Sequence, residues 1–172
     1  MTGETWIDGF NLFRHWEATR GLFVDGDVAR ALDKALRIFA RRLEGRARRT
    51  VVYLDGGVRR GRMEEYGLRI VLAGPGGKAD DRMAEDLAER DDRARRVTAV
   101  SSDRELAATL RGLGATVLRV DEFLSGVERR NRSGKRRESR EMSEKFRVLS
   151  PAEVKAWVEL FSGEQDDDAG PD

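Results

Sequence analysis

The sequence predicts an α/β fold built on a parallel sheet, and three observations carry that prediction. Short apolar, β-branched runs alternate with amphipathic stretches, the pattern of strand and crossover helix rather than of consecutive hairpins. The runs are near-continuously apolar, as strands covered on both faces must be. The length, 172 residues, suits one domain with a short appendage.

Five strands are expected, at Thr5 to Ile7, Thr50 to Leu54, Leu68 to Leu72, Val97 to Val100 and Thr116 to Val120. Asp27 caps a helix through about Leu43, on which Val28, Ala31, Leu32, Ala35, Leu36, Phe39 and Leu43 recur at three-and-four spacing; Gly45 ends it. Ala79 to about Arg93 forms another helix, with Met83 and Leu87 facing inward. Ser102-Asp103-Arg104-Glu105 reads as a capping box, Ser at the cap and Glu three residues later, opening a helix that stops near Gly112 to Gly114. Ser150-Pro151-Ala152-Glu153 is a second box, opening a closing helix with Val154, Trp157, Val158 and Phe161 on one face. The expected layout is a domain over 1–127, a basic arm and closing helix over 128–163 packed on it, and an acidic disordered tail over 164–172.

Composition removes several classes of function. No run approaches the roughly 20 apolar residues of a membrane span, and Asp8 interrupts the start before a signal-peptide core can form, so a cytoplasmic protein without a membrane partner is expected. The absence of cysteine excludes disulfides, zinc-thiolate clusters and thiol nucleophiles. Asn131-Arg132-Ser133 is then an idle glycosylation sequon. The net charge of +1 conceals an asymmetry, because Glu164, Asp166, Asp167, Asp168 and Asp172 close the chain with no base among them, leaving the rest at about +6. Arg129, Arg130, Arg132, Lys135, Arg136, Arg137, Arg140, Lys145 and Arg147 concentrate that charge in one stretch. Such a stretch is either a solvated arm or a grip on a polyanion.

In an open parallel sheet, ligands bind beyond the carboxyl ends of the strands. There this chain is acidic: Asp8 follows the first strand, Asp55 the second and Ser101-Ser102-Asp103 the fourth, while Asp80 and Asp81 open the helix after the Gly74 to Gly77 loop. Crowded carboxylates repel by several kcal/mol at an effective dielectric of about 20, so such a cluster normally persists around a cation. Oxygen-only donors select a hard ion, Mg²⁺ or Mn²⁺. Structural duties compete at each position. Asp80, Asp81 and Asp103 suit first helical turns, Asn11 suits a helix cap, and Asp55 suits the turn before Gly56-Gly57. Asp8 has no helix to cap at its own position, and is read as functional.

Three other motifs fail. Leu22 to Val28 resembles the Asp-x-Asp nucleophile motif of haloacid-dehalogenase-type phosphatases, but Asp27 is needed as a cap and the partner elements come in the wrong order. Gly77-Lys78 does not complete a phosphate-binding loop, since Leu72 and Ala79 stand where Gly and Ser/Thr belong. Serine-hydrolase chemistry would have to run through His15, a surface residue of the first helix.

Trp6-Ile7-Asp8-Gly9-Phe10-Asn11-Leu12, Val51-Val52-Tyr53-Leu54-Asp55, Ala79-Asp80-Asp81-Arg82 and Val100-Ser101-Ser102-Asp103-Arg104-Glu105 occur in an order that resembles the NYN domain of the YacP-like group of PIN-like ribonucleases. The resemblance spans about Thr5 to Phe161. It implies a three-layer α/β/α fold with a central, mostly parallel five-stranded sheet and a basic helical C-terminal extension. It also implies a Mg²⁺- or Mn²⁺-dependent endoribonuclease acting on structured or ribosome-associated RNA; the alternative is a non-catalytic RNA-binding module on that fold. Asp8, Asp80 or Asp81, and Asp103 match the metal-binding positions, with Asp81 the provisional choice of its pair. Asn11, Ser101 and Ser102 complete the catalytic set as orienting groups. RNA must be held by nearby cations: Arg59, Arg60 and Arg62 in the loop after the second strand, Lys78, Arg82, Arg104, and Arg129, Arg130, Lys135, Arg136 and Arg137 in the arm.

Overall fold

Six strands form one sheet in the order β3-β4-β2-β1-β5-β6 in the computed structural model, which describes residues 3–24 and 26–145 together with Ala152 and Lys155. The strands are β1 (Glu4–Asp8), β2 (Thr50–Leu54), β3 (Gly61–Glu65), β4 (Leu68–Leu72), β5 (Val97–Val100) and β6 (Thr116–Leu118). All neighbours pair in parallel except β3 with β4. The α/β expectation holds, with one strand more than the sequence suggested.

That extra strand is β3. Its Arg62-Met63-Glu64-Glu65 has no apolar alternation, and the strand lies at the sheet edge with its middle exposed. Charge suits an edge because it discourages pairing with another chain. The turn back into β4 is Tyr66-Gly67, with φ of 54° and 76°, as a two-residue hairpin turn requires. Arg62 therefore lies in a strand and not in a loop.

The helices are α1 (Gly9–His15), α2 (Glu17–Arg20), α3 (Val28–Leu43), α4 (Ala79–Ala88), α5 (Arg104–Gly112) and α6 (Val120–Lys145). Alternation along each strand divides the core. Ile7, Val52, Leu54, Leu68 and Ile70 meet Leu12 and Phe13 of α1, Ala35, Leu36 and Phe39 of α3, and Val120 and Val127 of α6. Trp6, Val51, Tyr53, Val71 and Ala99 meet Met83 and Leu87 of α4 and Leu106 and Leu110 of α5. The result is three layers. Phe39 anchors the first side, with the rings of Phe13, Trp16 and Phe123 at 5.8 to 6.3 Å from its own. Truncating so buried an aromatic costs about 3–5 kcal/mol.

The chain divides into one compact unit that ends at Asn131 and another that begins at Arg132. Within the first, Asn131 is buried and donates to the Arg42 carbonyl at 2.8 Å, while the Arg46 guanidinium donates to its Oδ1 at 2.7 Å. The sequon asparagine is thus a structural clamp on α6. Within the second, Arg137 pairs with Glu141 along the helix. Ala152 and Lys155 are helical, whereas the Ser150 cap, the Trp157 and Phe161 face and the acidic tail lie outside the described residues.

Helix boundaries depart from expectation where polar side chains found other partners. α4 stops at Ala88 rather than near Arg93, because Arg90 folds back over the Trp6 ring, 4.8 Å from its centroid, and pairs with Glu4. β6 ends at Leu118, and Val120 already begins α6. α3 ends at Leu43 as expected, but its C-cap is Glu44 and not Gly45: Glu44 takes φ 49°, ψ −146°, a conformation in which side chains other than glycine are strained by about 1–3 kcal/mol. Glu44→Gly is therefore expected to stabilise the fold by about 1 kcal/mol after its added unfolded-state entropy is subtracted, read as a higher urea midpoint at unchanged slope.

Candidate active site

β1 leaves the sheet at Asp8, and the next residue opens α1. The approach is tight: a Cβ on Gly9 would stand 2.6 Å from Leu54 Cδ2 and 2.9 Å from the Tyr53 carbonyl oxygen. Glycine is required there by packing. The turn makes Asp8 the N-cap of α1, its Oδ1 accepting from the Asn11 amide at 3.2 Å. The carboxylate therefore has the capping duty that the sequence had seemed to exclude. Its other oxygen, Oδ2, accepts from the buried Ser101 hydroxyl at 3.1 Å.

The expected residues around Asp8 form a connected polar chain. The Asp103 amide donates to Ser101 Oγ at 3.1 Å, and the Ser102 amide to Asn11 Oδ1 at 3.0 Å. The Val120 amide donates to Ser102 Oγ at 3.3 Å. The capping box is shifted by one residue: Asp103, not Ser102, caps α5, its Oδ1 accepting from the Glu105 and Leu106 amides at 2.8 and 3.0 Å. Asp55 also caps at a distance, accepting from the Ala79 amide at 2.7 Å. Lys78, the residue before α4, offers no side-chain cap of its own. Hydrogen bonds between Gly56 and both Gly74 and Gly77 lace the two loops that carry these groups.

A cleft of about 400 Å³ opens among these groups at the carboxyl edge of the sheet, lined by Asp8, Asp55, Asp80 and Asp103 with Asn11 and Lys78. Asp80 lines it; Asp81, one residue on, is exposed and does not. Burial pushes the Asp8 carboxyl up to about 6, with the charges of Asp80 and Asp55 adding to the effect and the Asn11 and Ser101 hydrogen bonds opposing it. Asp80 is raised too, first by burial and then by Asp103, Asp55 and Asp81. Four acids thus share one cleft under mutual repulsion.

Among the described residues, no three acidic or histidine side chains stand close enough to grip one ion directly. The donor set nonetheless fits a hard ion. Mg²⁺ keeps several of its waters and is commonly held by one or two carboxylates, so a wet, all-oxygen cleft suits it where a closed cage would not. Sequence reasoning assigned Phe10, Arg14 and His15 no role in the site, and all three line the cleft. Helical periodicity from Asp8 was the available signal.

The expected RNA-binding cations divide. Arg60 pairs with Glu85, and Arg62 and Arg82 pair with the buried Asp86 at 3.0 and 2.8 Å, so two acids offset part of the charge of these three. Lys78 lines the cleft, and Arg59 and Arg104 are exposed away from its lining. Arg129, Arg130, Lys135, Arg136 and Arg137 all lie exposed on α6. No described helix is long and apolar enough to cross a membrane.

The chain matches the YacP-like NYN domain over residues 5–161. It resembles the crystal structure of Rae1 (YacP) from Bacillus subtilis at TM-score 0.60 and 22% identity, covering 93% of this chain and 90% of that one. A single-substitution variant of the same Bacillus subtilis protein aligns at TM-score 0.64 and 20% identity, over 83% and 86%. No curated protein matches. Because the Asp8 carboxyl binds its proton more tightly folded than unfolded, ionised Asp8 destabilises the metal-free fold above pH 6, and the penalty fades as pH falls toward the unfolded value of 3.8. Asp8→Asn in metal-free protein is expected to gain about 2 kcal/mol at pH 8 and almost nothing near pH 4, measured by urea unfolding at both.

Proposed function

The chain belongs to the YacP-like NYN domain family, and from that premise we propose that it is a divalent-metal-dependent endoribonuclease hydrolysing RNA phosphodiester bonds. The observation that carries the proposal is the convergence of Asp8, Asp55, Asp80 and Asp103 on one cleft, with the most buried of them held at both oxygens. Capping gives Asp8, Asp55 and Asp103 each a structural duty, but none of these duties explains why Asp80 is crowded against them in the same cleft.

Asp8, Asp80 and the outer oxygen of Asp103 are the groups proposed to hold Mg²⁺ or Mn²⁺, with Asp80 replacing Asp81 in that role. When bound, such an ion lowers the pKa of water and offsets charge on a phosphate. The remaining work falls to the chain. Ser101 and the Asn11 amide fix the Asp8 carboxylate so that it does not reorganise during reaction. Asn11 ties α1 to the loop before α5, fixing Asp8 and Asp103 relative to each other. Asp80, whose affinity for a proton is raised, would accept the proton of the attacking water as the water oxygen bonds to phosphorus, while the ester P–O bond breaks and the leaving oxygen takes up a proton from solvent. Lys78 faces the phosphate from the loop before α4, and the exposed cations of α6 add a grip on structured or ribosome-associated RNA.

One observation favours a second reading, a non-catalytic RNA-binding module: no preassembled three-acid group is present among the described residues. The two readings separate on a pool of cellular RNA incubated with Mn²⁺, Mg²⁺ or EDTA. The nuclease cleaves only with metal, and Asp8→Asn loses roughly a hundredfold or more in rate while RNA affinity changes little. Equal activity of Asp8→Asn and wild type would refute the site; binding without cleavage under every condition would favour the module.

A further inference from the structure

Four carboxylates in a cleft repel a polyanion, and one divalent ion would cancel only two of their charges, so basic side chains lining the cleft favour the approach of a phosphate backbone. Besides Lys78, the basic residues lining it are Arg14 and His15, in the last turn of α1. The nearby arginines around α4 are not among its lining, and Arg60, Arg62 and Arg82 share Glu85 and Asp86. A second cavity, about 260 Å³ beside β2, β4 and β3, is lined by Arg62, Arg69 and Arg90, and these too are paired, with Asp86 and Glu4. Arg14 differs from all of them. It is exposed, enters no ion pair among the described residues, and is laid over the Phe10 ring, 5.4 Å from its centroid. Phe10 is itself held edge-on by Phe23 at 6.1 Å.

We propose that Arg14, propped on Phe10 at the rim of the acidic cleft, is a positioning residue that binds the backbone phosphate next to the scissile one. A guanidinium presents a planar fork of donors matched to two phosphate oxygens, and the Phe10 ring beneath it favours its placement at the cleft in the free protein. The register is set by the cleft's own chemistry. Asp8 caps α1 and Gly9 seats it on β2, so Arg14 stands about 9 Å along the helix from Asp8 at about 1.5 Å per residue, a fixed offset between anchor and reacting site. His15 braces the same turn, its Nδ1–H donating to the Asn11 carbonyl at 2.7 Å, since a carbonyl can only accept. This assignment deepens the nuclease reading and rests on it for the identity of the strand.

The test uses full-length wild type, Arg14→Ala, Arg14→Lys and, as a control, Arg30→Ala on exposed α3 away from the cleft. Binding of a short labelled oligouridine is followed in EDTA against salt, and KM and kcat for the same RNA are measured in Mn²⁺. Arg14→Ala should weaken binding and raise KM about tenfold, as loss of one charge-assisted contact does, with kcat held within about threefold. Its log-log salt slope should fall by roughly 0.7, one phosphate's share on a single strand. Arg14→Lys should restore the slope but only part of the affinity, because it keeps the charge and loses the fork. Arg30→Ala should match wild type. Affinity, KM and slope unchanged in Arg14→Ala would overturn the assignment, even if wild type cleaves; absent cleavage with binding still lost in Arg14→Ala would instead remove the nuclease reading and leave the phosphate contact standing.

Discussion

The carboxylate of Asp8 is the constraint on which the rest of this molecule turns. It ends the central strand, caps the following helix through one oxygen and receives the Ser101 hydroxyl through the other. From it runs an unbroken polar path through Ser101 to the Asp103 amide, and a parallel one from Asn11 through Ser102 to the first residue of α6. The junction of β1 and α1 is thereby tied to the starts of α5 and α6, which lie some ninety and more residues further along the chain. A group so placed cannot be neutral to the fold, and the same bonds that satisfy it as a structural anion hold it still as a candidate ligand.

Opposite it, α4 is secured by a different device. The buried Asp86 accepts from the Tyr53 hydroxyl at 3.1 Å and pairs with Arg62 of β3 and Arg82 of its own helix. This network joins the middle strand, the edge strand and α4, and fixes the helix whose first turn presents Asp80. Burial and the neighbouring Asp86 charge hold the Tyr53 hydroxyl protonated far above its ordinary range, so it stays a donor at any working pH. The acid that repels its neighbours in the cleft is carried on a helix stiffened by an acid whose neighbours are all attractive.

The acids of the cleft were legible in the sequence because a parallel sheet converts position after an apolar run into position in space. Choosing between Asp80 and Asp81 was not, since both occupy one helical turn and only the roll of α4 on the sheet decides which enters the cleft. The capping roles of Asp8 and Asp103 were misread for a related reason: a cap depends on where helical φ and ψ begin, and a shift of one residue exchanges the duties of Ser102 and Asp103. β3 escaped notice because an edge strand needs no apolar alternation. Arg60, Arg62 and Arg82 counted as free cations in the sequence, and only the structure reveals Glu85 and Asp86 as the acids that hold them.

The strand order has a consequence for how this chain must be made. β1 leaves the ribosome before the other five strands, yet it occupies the middle of the sheet, between β2 and β5. Trp6 and Ile7, wholly buried at the end, have no lateral partner until Thr50 to Leu54 has been synthesised, and none on the other side until Val97 to Val100 follows. Every pairing of β1 closes a long loop, so the contacts that lock it are entropically late. A nascent chain therefore holds Trp6 and Ile7 short of their final burial until Val97 to Val100 has been made, so the sheet closes from its middle strand last and not first.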